Sequence, residues 1–483
     1  STILIFSIGL AIGQKGKHGS YTQTGNTVVN EFTTLSADAS AGSNTITVAN
    51  SSLNSNSYAW FGGNLEAGDL ILIIQIQGAN ILGSPEPWTP GLYGLPVDPT
   101  WGEVTYNNSG NNEYAEVMSI PNGTSIELRC GLVNTYTASG SVQIIRVPRF
   151  DDLTVNGTLT TSGWDGSTGG VLALEVENDL TINNGGQILA SELGFRGAAT
   201  NIDLSGSFGV SHYSRPLTNG GGEKGESIRG WGPEYDTHGG RYSKGAPANG
   251  GGGGNSHNGG GGGGGNAGNT SNWNEGVGVP DPAYNNAWNE EAIDISGFTS
   301  SGGGRGGYTF SGADLNANNV GPDDASWGGD NRRNRGGLGG RPLDYSTGKI
   351  YLGGGGGAGH INENSTIGGG GGNGGGIIYI LNYGNVSGTG SIASDGENGE
   401  EVTAAGASIT NIAGNDGAGG AGAGGTVIIN TNGTVSGISI TTNGGDGGDQ
   451  TIVDGGFSGN KMDEAEGPGG GGGYIAISNG AVT

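Results

Sequence analysis

Two runs of glycine dominate the middle of this 483-residue chain, five in a row from Gly250 to Gly254 and seven from Gly259 to Gly265. An ordered glycine gives up more backbone freedom than any other residue, which costs about 0.5 to 1 kcal/mol relative to alanine. A tract without side chains also has nothing to bury. The simplest expectation is a flexible tether, because an ordered alternative must satisfy every backbone N–H and C=O group by other means.

Glycine is unevenly distributed along the chain. Its 111 Gly and 15 Pro residues make up about a quarter of the sequence, a level typical of low-complexity chains. Residues 21–149 are nevertheless an ordinary mixture of Val, Ile, Leu, Thr, Ser and Asn, and glycine accumulates only after Gly163. The chain therefore combines a conventional folded segment with a glycine-rich one.

Charge and cysteine content exclude two classes of protein. The formal net charge is -26, whereas nucleic-acid binding through phosphate neutralisation needs a basic face. Residues 196–349 are closer to neutral, since they carry 12 of the 18 basic residues. A single cysteine, Cys130, rules out a disulfide-stapled fold, and we expect it to be a small apolar strand residue.

Residues 1–25 are predicted to be a signal segment followed by a linker. The apolar stretch that precedes Gln14 is uncharged and too short to span a bilayer. Small residues at Ala11 and Gly13 match a secretory cleavage site, which predicts a mature end at Gln14. The alternative is that this segment stays in place as a strand. No other segment is apolar enough to cross a membrane, so we expect an exported protein that does not span one.

Residues 26–150 show the pattern of an antiparallel β domain. Stretches such as "NTITVANSSL", "GDLILIIQIQGA" and "GSVQIIRVPRF" follow one another at short intervals, with "PNGT" and "TASG" between others of the same kind. Short strands at such spacing predict a β-sandwich or small barrel. Pro148 and the acidic pair after Phe150 mark the predicted boundary.

Beyond this boundary the sequence repeats. Three segments share one template, in which two glycines lead into a β-branched strand that is followed by two shorter strands; they are residues 169–194, 375–396 and 424–445. The stretch "GGGYIAISNG" begins another copy. Val386 and Val435 occupy equivalent places, as do Thr426 and Tyr474.

A fixed period of this size, with three short strands per unit, predicts a parallel β-helix, in which each unit buries its apolar face against its neighbours. Propeller blades have a similar period, but they usually repeat four strands and carry aromatic signatures. The predicted fold class is therefore all-β, a sandwich or barrel followed by a β-helix. The first rungs are assigned to residues 151–210, a glycine-rich insert to 211–372, and a continuation that stops in mid-repeat to 373–483.

The glycine tracts lie beside these strands, which favours order over a tether. A polyproline-II-type helix has three residues per turn and no internal hydrogen bonds, so its polar backbone groups point outward. Without Cβ atoms, parallel tracts can approach closely and bond to one another. We therefore expect a polyglycine-II-like bundle on the solenoid, in which every third residue at least must be glycine.

Aromatic and arginine residues are mixed within the insert. Both types are enriched at binding hot spots, so the insert is a candidate contact surface; an equal alternative is that these side chains plug the glycine bundle. The candidate residues are Trp231, Trp273, Trp288, Trp327, Tyr242, Tyr308, Arg332, Arg333 and Arg335.

One stretch resembles a metal site. "GGDGGDQTI" matches the start of a calcium-binding nonapeptide repeat, with Asp446 and Asp449 as the ligands of a Ca²⁺ ion, but Thr451 stands where a large apolar residue belongs. The pattern occurs once, whereas such sites share ligands between tandem copies. Five scattered histidines lack metal-ligand spacing, and no phosphate-loop pattern is present. No other cofactor is expected.

The runs "FTTLSADASAGSNTITVANSSL", "GDLILIIQIQGA", "SVQIIRVPRFDDLTVNGTLT" and "GGVLALEVENDLTI", followed by "GGGGGAGH" and "GPGGGGGYIAI", resemble the N-terminal region of giant Bacteroidota surface proteins of the gliding-adhesin type. The resemblance covers nearly the whole chain after the signal segment, and its first half is the more specific part.

This resemblance implies a type IX secretion substrate at the bacterial cell surface, without catalytic residues. It implies an adhesive or structural role in attachment, gliding or prey capture, with homo-oligomers or filaments as the assembly and surface glycans or another cell as the target. The alternative from another class is a parallel β-helix polysaccharide lyase or glycoside hydrolase, for which adjacent acids such as Asp151 and Asp152 are available.

Overall fold

A computed structural model of the protein describes most of the chain, namely residues 14–54, 60–83, 100–202, 212–216, 221–255, 259–276, 300–307, 336–361, 368–403, 416–451 and 467–479. The predicted signal segment, residues 1–13, lies outside these ranges. So do the insert residues Trp288, Trp327, Tyr308, Arg332, Arg333 and Arg335.

The described residues are almost entirely strands and extended tracts. The strands in chain order are β1 (Tyr21–Gln23), β2 (Asn26–Val28), β3 (Glu31–Thr34), β4 (Thr45–Thr47), β5 (Leu70–Gln75), β6 (Asn80–Ile81), β7 (Val104–Thr105), β8 (Asn112–Asn122), β9 (Ser125–Leu128), β10 (Val142–Val147), β11 (Arg149–Phe150), β12 (Leu153–Val155), β13 (Thr158–Thr160), β14 (Val171–Val176), β15 (Leu180–Ile182), β16 (Gln187–Leu189), β17 (Ile377–Asn382), β18 (Val386–Gly388), β19 (Ser391–Ala393), β20 (Val402–Thr403), β21 (Thr426–Thr431), β22 (Val435–Ser436), β23 (Ser439–Thr441), β24 (Gln450–Thr451) and β25 (Tyr474–Asn479). Helical structure in these ranges is limited to one short α-helix, α1 (Gly232–Asp236), and two 3₁₀ turns, Ala138–Gly140 and Thr270–Asn272.

Three parallel sheets of five strands each form a β-helix. Their strand orders are β11-β14-β17-β21-β25, β1-β12-β15-β18-β22 and β2-β13-β16-β19-β23. The chain visits the three sheets in turn, so each coil contributes one strand to each sheet. This topology confirms the predicted parallel β-helix and excludes propeller blades, which belong to the antiparallel all-β architectures.

The repeat seen in the sequence is the coil of the solenoid. Val386 pairs with Val435, and Thr426 pairs with Tyr474, as directly opposed partners in parallel ladders. Equivalent positions in successive repeats therefore lie one above the other.

The inside of the solenoid is filled by aliphatic side chains that stack from coil to coil. Leu172, Ile378 and Val427 are in register across β14, β17 and β21, and all three are fully buried. Burial of one such side chain stabilises the fold by about 1.5 to 3 kcal/mol. The short β-branched strands are thus what hold successive coils together.

The β-helix begins earlier in the chain than the sequence predicted. Residues 1–25 were expected to be signal and linker, and Asn26 to open the antiparallel domain. Instead, β1 pairs in parallel with β12 and β2 with β13. These two strands are too short to carry a periodic signal, and only their pairing with strands about 130 residues later reveals them as solenoid.

The antiparallel domain follows this first coil. Its strands are ordered β3-β10-β5-β8-β9-β4, and an antiparallel bridge between Leu35 and Val48 brings the two outer strands together. The sheet thus curls into a half-barrel around buried residues such as Ile71, Val117 and Ile144. Cys130, expected in a strand, is exposed in the bend after β9.

Aromatic residues of the half-barrel cap the start of the solenoid. Trp60 lies edge-on to Phe150 and Tyr21, at ring-centre distances of 5.2 and 5.9 Å. His18 contacts Trp60 and Phe61 in the same way, at 5.3 and 5.4 Å. The first coil therefore presents its core to this aromatic cluster.

The glycine runs are ordered. Within residues 259–265, every third amide donates to the same neighbouring tract, as Gly261 and Gly264 do to Ala418 and Ala421, at 2.9 and 2.8 Å. The remaining amides donate to two further tracts. Those of Gly262 and Gly265 donate to the carbonyl oxygens of Gly252 and Asn249, and those of Gly260 and Gly263 donate to the carbonyl oxygens of Gly307 and Gly304. A threefold pattern of outward hydrogen bonds is the signature of a polyproline-II-type helix. It confirms the predicted polyglycine-II-like arrangement. Hydrogen bonds to neighbouring tracts satisfy the polar backbone groups, and these bonds offset the entropic cost of ordering the glycines.

The bundle is shared between insert and solenoid. The tract at residues 351–360 bonds to residues 259–265 through the Gly354 amide, and to residues 416–425 through the Gly357 carbonyl, at 3.0 and 2.9 Å. The latter tract leads directly into β21. The insert predicted at residues 211–372 is therefore physically continuous with the solenoid, because glycine tracts from both parts form one hydrogen-bonded lattice.

Candidate functional site

Two of the predicted contact residues serve packing. The ring of Trp231 lies under the guanidinium of Arg196, 4.0 Å from its carbon to the ring centre, and Glu226 holds Arg196 at 2.8 Å. Tyr242 is buried, and its backbone forms a bridge with that of Arg215. For these two residues the structure favours the role of a plug in the bundle over that of an open contact surface.

Trp273 lies at a cleft instead. It directly follows the 3₁₀ turn Thr270–Asn272, and its indole Nε1 donates to the carbonyl oxygen of Gly339 at 3.0 Å. The guanidinium carbon of Arg341 lies 3.7 Å from the centre of its ring. Both contacts hold the indole in one orientation on the rigid glycine lattice.

The cleft has a volume of about 340 Å³, near the lower end for ligand-binding pockets. One wall comes from the segment around β7 and the other from the insert; the lining residues are Glu103, Val104, Tyr106, Thr270, Trp273, Arg341, Pro342 and Asp344. Apolar ring surfaces and charged groups of both signs therefore share one concave site.

Two hydrogen bonds tie the walls together. The backbone N–H of Asp344 donates to the hydroxyl oxygen of Tyr106 at 2.9 Å. On the other side, Nη2 of Arg341 donates to the carbonyl oxygen of Trp101 at 3.0 Å. Burial raises the pKa of Tyr106, so its hydroxyl stays protonated at neutral pH. The cleft is thus pre-formed by contacts between residues about 240 positions apart.

Arg341 is the cation of the cleft. Only 9% of its surface is exposed, and burial lowers its pKa to about 10, an effect that the carboxylates of Glu103 and Glu275 partly oppose. The guanidinium remains charged at neutral pH.

Two carboxylates lie at the same cleft. Asp344 accepts a hydrogen bond from the backbone N–H of Ser346 at 2.8 Å, and the side chain and backbone of Ser346 together lower its pKa. Glu103 is exposed. Ionised carboxylates are acceptors only, so this side of the cleft suits a ligand that carries hydroxyl donors.

The calcium interpretation gains no support. Asp446 and Asp449 are both exposed in an outer tract, where the Asp446 amide donates to Asn398 Oδ1 at 2.8 Å. Within the described part of the chain, no three His, Cys, Asp or Glu side chains come together in a way that could hold a metal ion.

Sequence reasoning found Trp273 but not its companions. Arg341 and Asp344 belong to "GRPLDYS", and Glu103 and Tyr106 to "WGEVTYNN". Charged and aromatic residues on both sides of a glycine-rich segment were the available signal. Nothing in either stretch indicates that the two lie face to face.

Comparison with known proteins identifies partial likenesses among solved structures. No protein-family model matches the chain, and no curated protein matches it in sequence. The tailspike Gp54 of Acinetobacter baumannii bacteriophage AP22, solved in complex with A. baumannii capsular saccharide, is 15% identical with a TM-score of 0.16, covering 35% of this chain and 30% of that one. The tailspike gp49 of Pseudomonas phage LKA1 is 16% identical with a TM-score of 0.14, covering 34% and 28%. The tailspike gp61 of Pseudomonas phage phi297 is 13% identical with a TM-score of 0.15, covering 38% and 35%.

The chain thus spans about a third of the length of these tailspikes. The β-helix assignment rests on the strand pairing described above. Across the described ranges, no helix has the length and apolar character needed to traverse a lipid bilayer.

Proposed function

We propose that this protein is an adhesive protein of the bacterial cell surface that binds a glycan in the cleft between Trp273 and Tyr106. The β-helix and the glycine bundle serve as its rigid scaffold. The observation that carries the proposal is the cleft itself, where Arg341, Asp344 and an aromatic ring are fixed by hydrogen bonds before any ligand arrives. Pre-organised polar groups on an apolar wall are what a small-molecule or sugar site requires.

The chemistry of the lining suits a sugar. Carboxylates accept hydrogen bonds from hydroxyl groups, and a guanidinium donates to ring and hydroxyl oxygens. The indole of Trp273 and the ring of Pro342 offer apolar surface to the C–H face of a sugar. Trp273, Arg341 and Asp344 are each held by a hydrogen bond to another segment of the chain.

The test compares two tryptophans that differ in position. Trp273→Ala removes the aromatic wall of the cleft, whereas Trp231→Ala removes a similarly stacked tryptophan that does not line it. Binding to a glycan array, and attachment of beads coated with the protein to glycan surfaces, should fall at least tenfold for the first variant and stay within twofold for the second. Equal loss in both, or no glycan bound by the wild type, would refute the proposal.

The wider biological role rests on the resemblance to gliding adhesins. We infer that the chain is exported by a type IX system and works in attachment, gliding or prey capture, as part of a larger filament or homo-oligomer. Cell fractionation of the native host, with antibody against the half-barrel, tests the location. Protein confined to the cytoplasm would contradict it.

A hydrolytic or lyase role is the second candidate, since Glu103 and Asp344 line one cleft and glycoside hydrolysis uses two carboxyl groups across a sugar. Incubation with neutral and acidic glycans, followed by assay for new reducing ends, separates the two roles. Product formation that disappears in both Glu103→Gln and Asp344→Asn would establish the enzyme, and the absence of product across the panel would leave the binding role.

A further inference from the structure

The proposed glycan-binding role leaves open which sugars the cleft accepts. Building on that role, we propose that it selects acidic sugars, with Arg341 pairing with the carboxylate of a hexuronic acid while Asp344 and Glu103 accept hydrogen bonds from its hydroxyl groups.

Arg341 has unused hydrogen-bonding capacity. A guanidinium carries five N–H donors, and among the described residues one side-chain hydrogen bond is made, from Nη2 to the carbonyl oxygen of Trp101. Its Nε is buried without a partner in the described part of the chain. Buried charges in proteins are normally paired, so a nearly buried arginine that lines a cleft and lacks a carboxylate partner among these residues is suited to receive one from a ligand.

Two other buried arginines of the same chain each have a carboxylate partner within the protein. Arg146 donates to a carboxylate oxygen of Asp69 at 2.7 Å and to the carbonyl oxygens of loop residues. Arg149 binds Glu175 through two nitrogens and also contacts Glu116. Neither lines the Trp273 cleft. Arg146 and Arg149 are thus neutralised by carboxylates of the protein, whereas no carboxylate among the described residues forms an ion pair with Arg341.

The pKa of Arg341 is consistent with this assignment. It is lowered by burial in spite of the nearby carboxylates of Glu103 and Glu275, so the charge is not fully compensated in the free protein.

The two carboxylates at the cleft decide against a simple inorganic anion. Phosphate or sulfate would meet Asp344 and Glu103 with like charge and few hydrogens to donate. A hexuronic acid differs because its carboxylate and its hydroxyl groups lie on separate edges of the ring. It offers acceptors to Arg341 in the bidentate geometry that guanidinium groups favour, and donors to the acids.

Matched polymers test this without altering the protein. Polygalacturonate, alginate and hyaluronate are each compared with their carboxyl-reduced forms by isothermal titration calorimetry on the full chain. At least one acidic polymer should bind at least tenfold more tightly than its reduced form. Equal binding of both forms would overturn the acidic preference while leaving the glycan-binding role standing. Binding to neutral glycans alone would do the same, and binding to no glycan would overturn both.

Variants then locate the effect. Arg341→Gln should abolish the difference between the acidic and reduced forms, whereas Arg341→Lys should restore part of it. Arg196→Gln, at the Trp231 stack outside the cleft, is the matched control and should preserve the difference. Because Arg341 is buried, hydrogen exchange of the glycine bundle is measured for each variant. A folded Arg341→Gln protein that still distinguishes the two polymers would overturn the assignment to Arg341.

Discussion

The backbone N–H of Gly262 donates to the carbonyl oxygen of Gly252 at 2.7 Å, which joins the two glycine runs side by side. Gly262 in turn accepts a hydrogen bond from the amide of Gly357 at 2.8 Å. Gly262 is thus bonded to two separate tracts, and its lack of a Cβ leaves room for a third tract, at Gly337 and Leu338.

Substitution of Gly262 by alanine should disrupt the bundle. A Cβ at this position would overlap the carbonyl oxygen of Leu338 and lie 2.7 Å from its carbonyl carbon. Overpacking of this kind costs about 1 to 3 kcal/mol, and more where backbone must move. Gly472→Ala is the matched control, since Gly472 is an exposed glycine of the same kind of tract, and a Cβ added there would meet no described atom within 4 Å.

Chemical denaturation of both variants measures the difference. We expect the midpoint of Gly262→Ala to fall clearly and that of Gly472→Ala to stay near the wild-type value. Similar midpoints for the two would mean that the tract at residues 259–265 is not packed as described.

Hydrogen exchange should reveal the bundle directly. The amides of residues 260–265 are bonded to neighbouring tracts, so they should be protected to a degree comparable with strands β17 and β21. The exposed turn at Gly62 and Gly63 serves as an internal reference for fast exchange. Exchange of the glycine tract at the rate of that turn would contradict an ordered bundle.

Lys224 is predicted to be essential for stability. It is fully buried, and its ammonium group donates to the carbonyl oxygens of Tyr213, Ser243 and Gly245 at 2.6, 2.6 and 2.7 Å. Burial lowers the pKa of Lys224, with a further contribution from nearby Lys244. Three carbonyl acceptors nevertheless match the three N–H donors of an ammonium ion and favour the charged form.

Lys224→Met would leave those three carbonyl groups without their shared donor, and we expect a loss of about 3 kcal/mol or more. Lys15→Met is the control, since Lys15 is exposed and contacts the ring face of Tyr383 at 3.5 Å; it should cost less than about 1 kcal/mol. Thermal unfolding of the two variants provides the comparison. A Lys224→Met protein as stable as the control would refute the prediction.

His18 should make stability depend on pH. Burial is the main cause that lowers its pKa to about 4; Asp69 opposes this, and the cations Arg146, Lys17 and Arg149 add to it. Its Nδ1 accepts a hydrogen bond from the backbone N–H of Arg149 at 2.9 Å. The unfolded chain, with an ordinary histidine pKa of about 6.5, therefore binds a proton more readily than the folded one between these two values.

The stabilisation that His18 provides is consequently complete above pH 6.5 and is lost as the pH falls towards 4. The free energy of unfolding should decrease by about 2 kcal/mol over this range, once solvent screening is allowed for. His18→Asn keeps an acceptor for the Arg149 amide but does not titrate. The difference in unfolding free energy between wild type and variant, measured from pH 7 to pH 4, isolates the effect. A constant difference across this range would rule it out.

The sequence alone determined the repeating part of this fold. Glycine pairs, β-branched strands and their equal spacing are local features, and each coil of a solenoid contacts only its neighbours, so the period of the sequence is the period of the structure. The sequence also predicted that the glycine tracts are ordered. Tracts flank strands of the solenoid, and because these strands stack on one another, the tracts that flank them must lie side by side. Trp273 was likewise recognisable as a member of an aromatic and arginine cluster.

Only the tertiary structure decided where the solenoid begins and how the cleft is built. β1 and β2 are three residues each, too short for periodicity, and they became solenoid strands only by pairing with β12 and β13. Tyr106 and Asp344 are hydrogen-bonded because the half-barrel packs against the glycine lattice. Such contacts depend on how separate parts of the chain pack together, and no local spacing of residues encodes that packing.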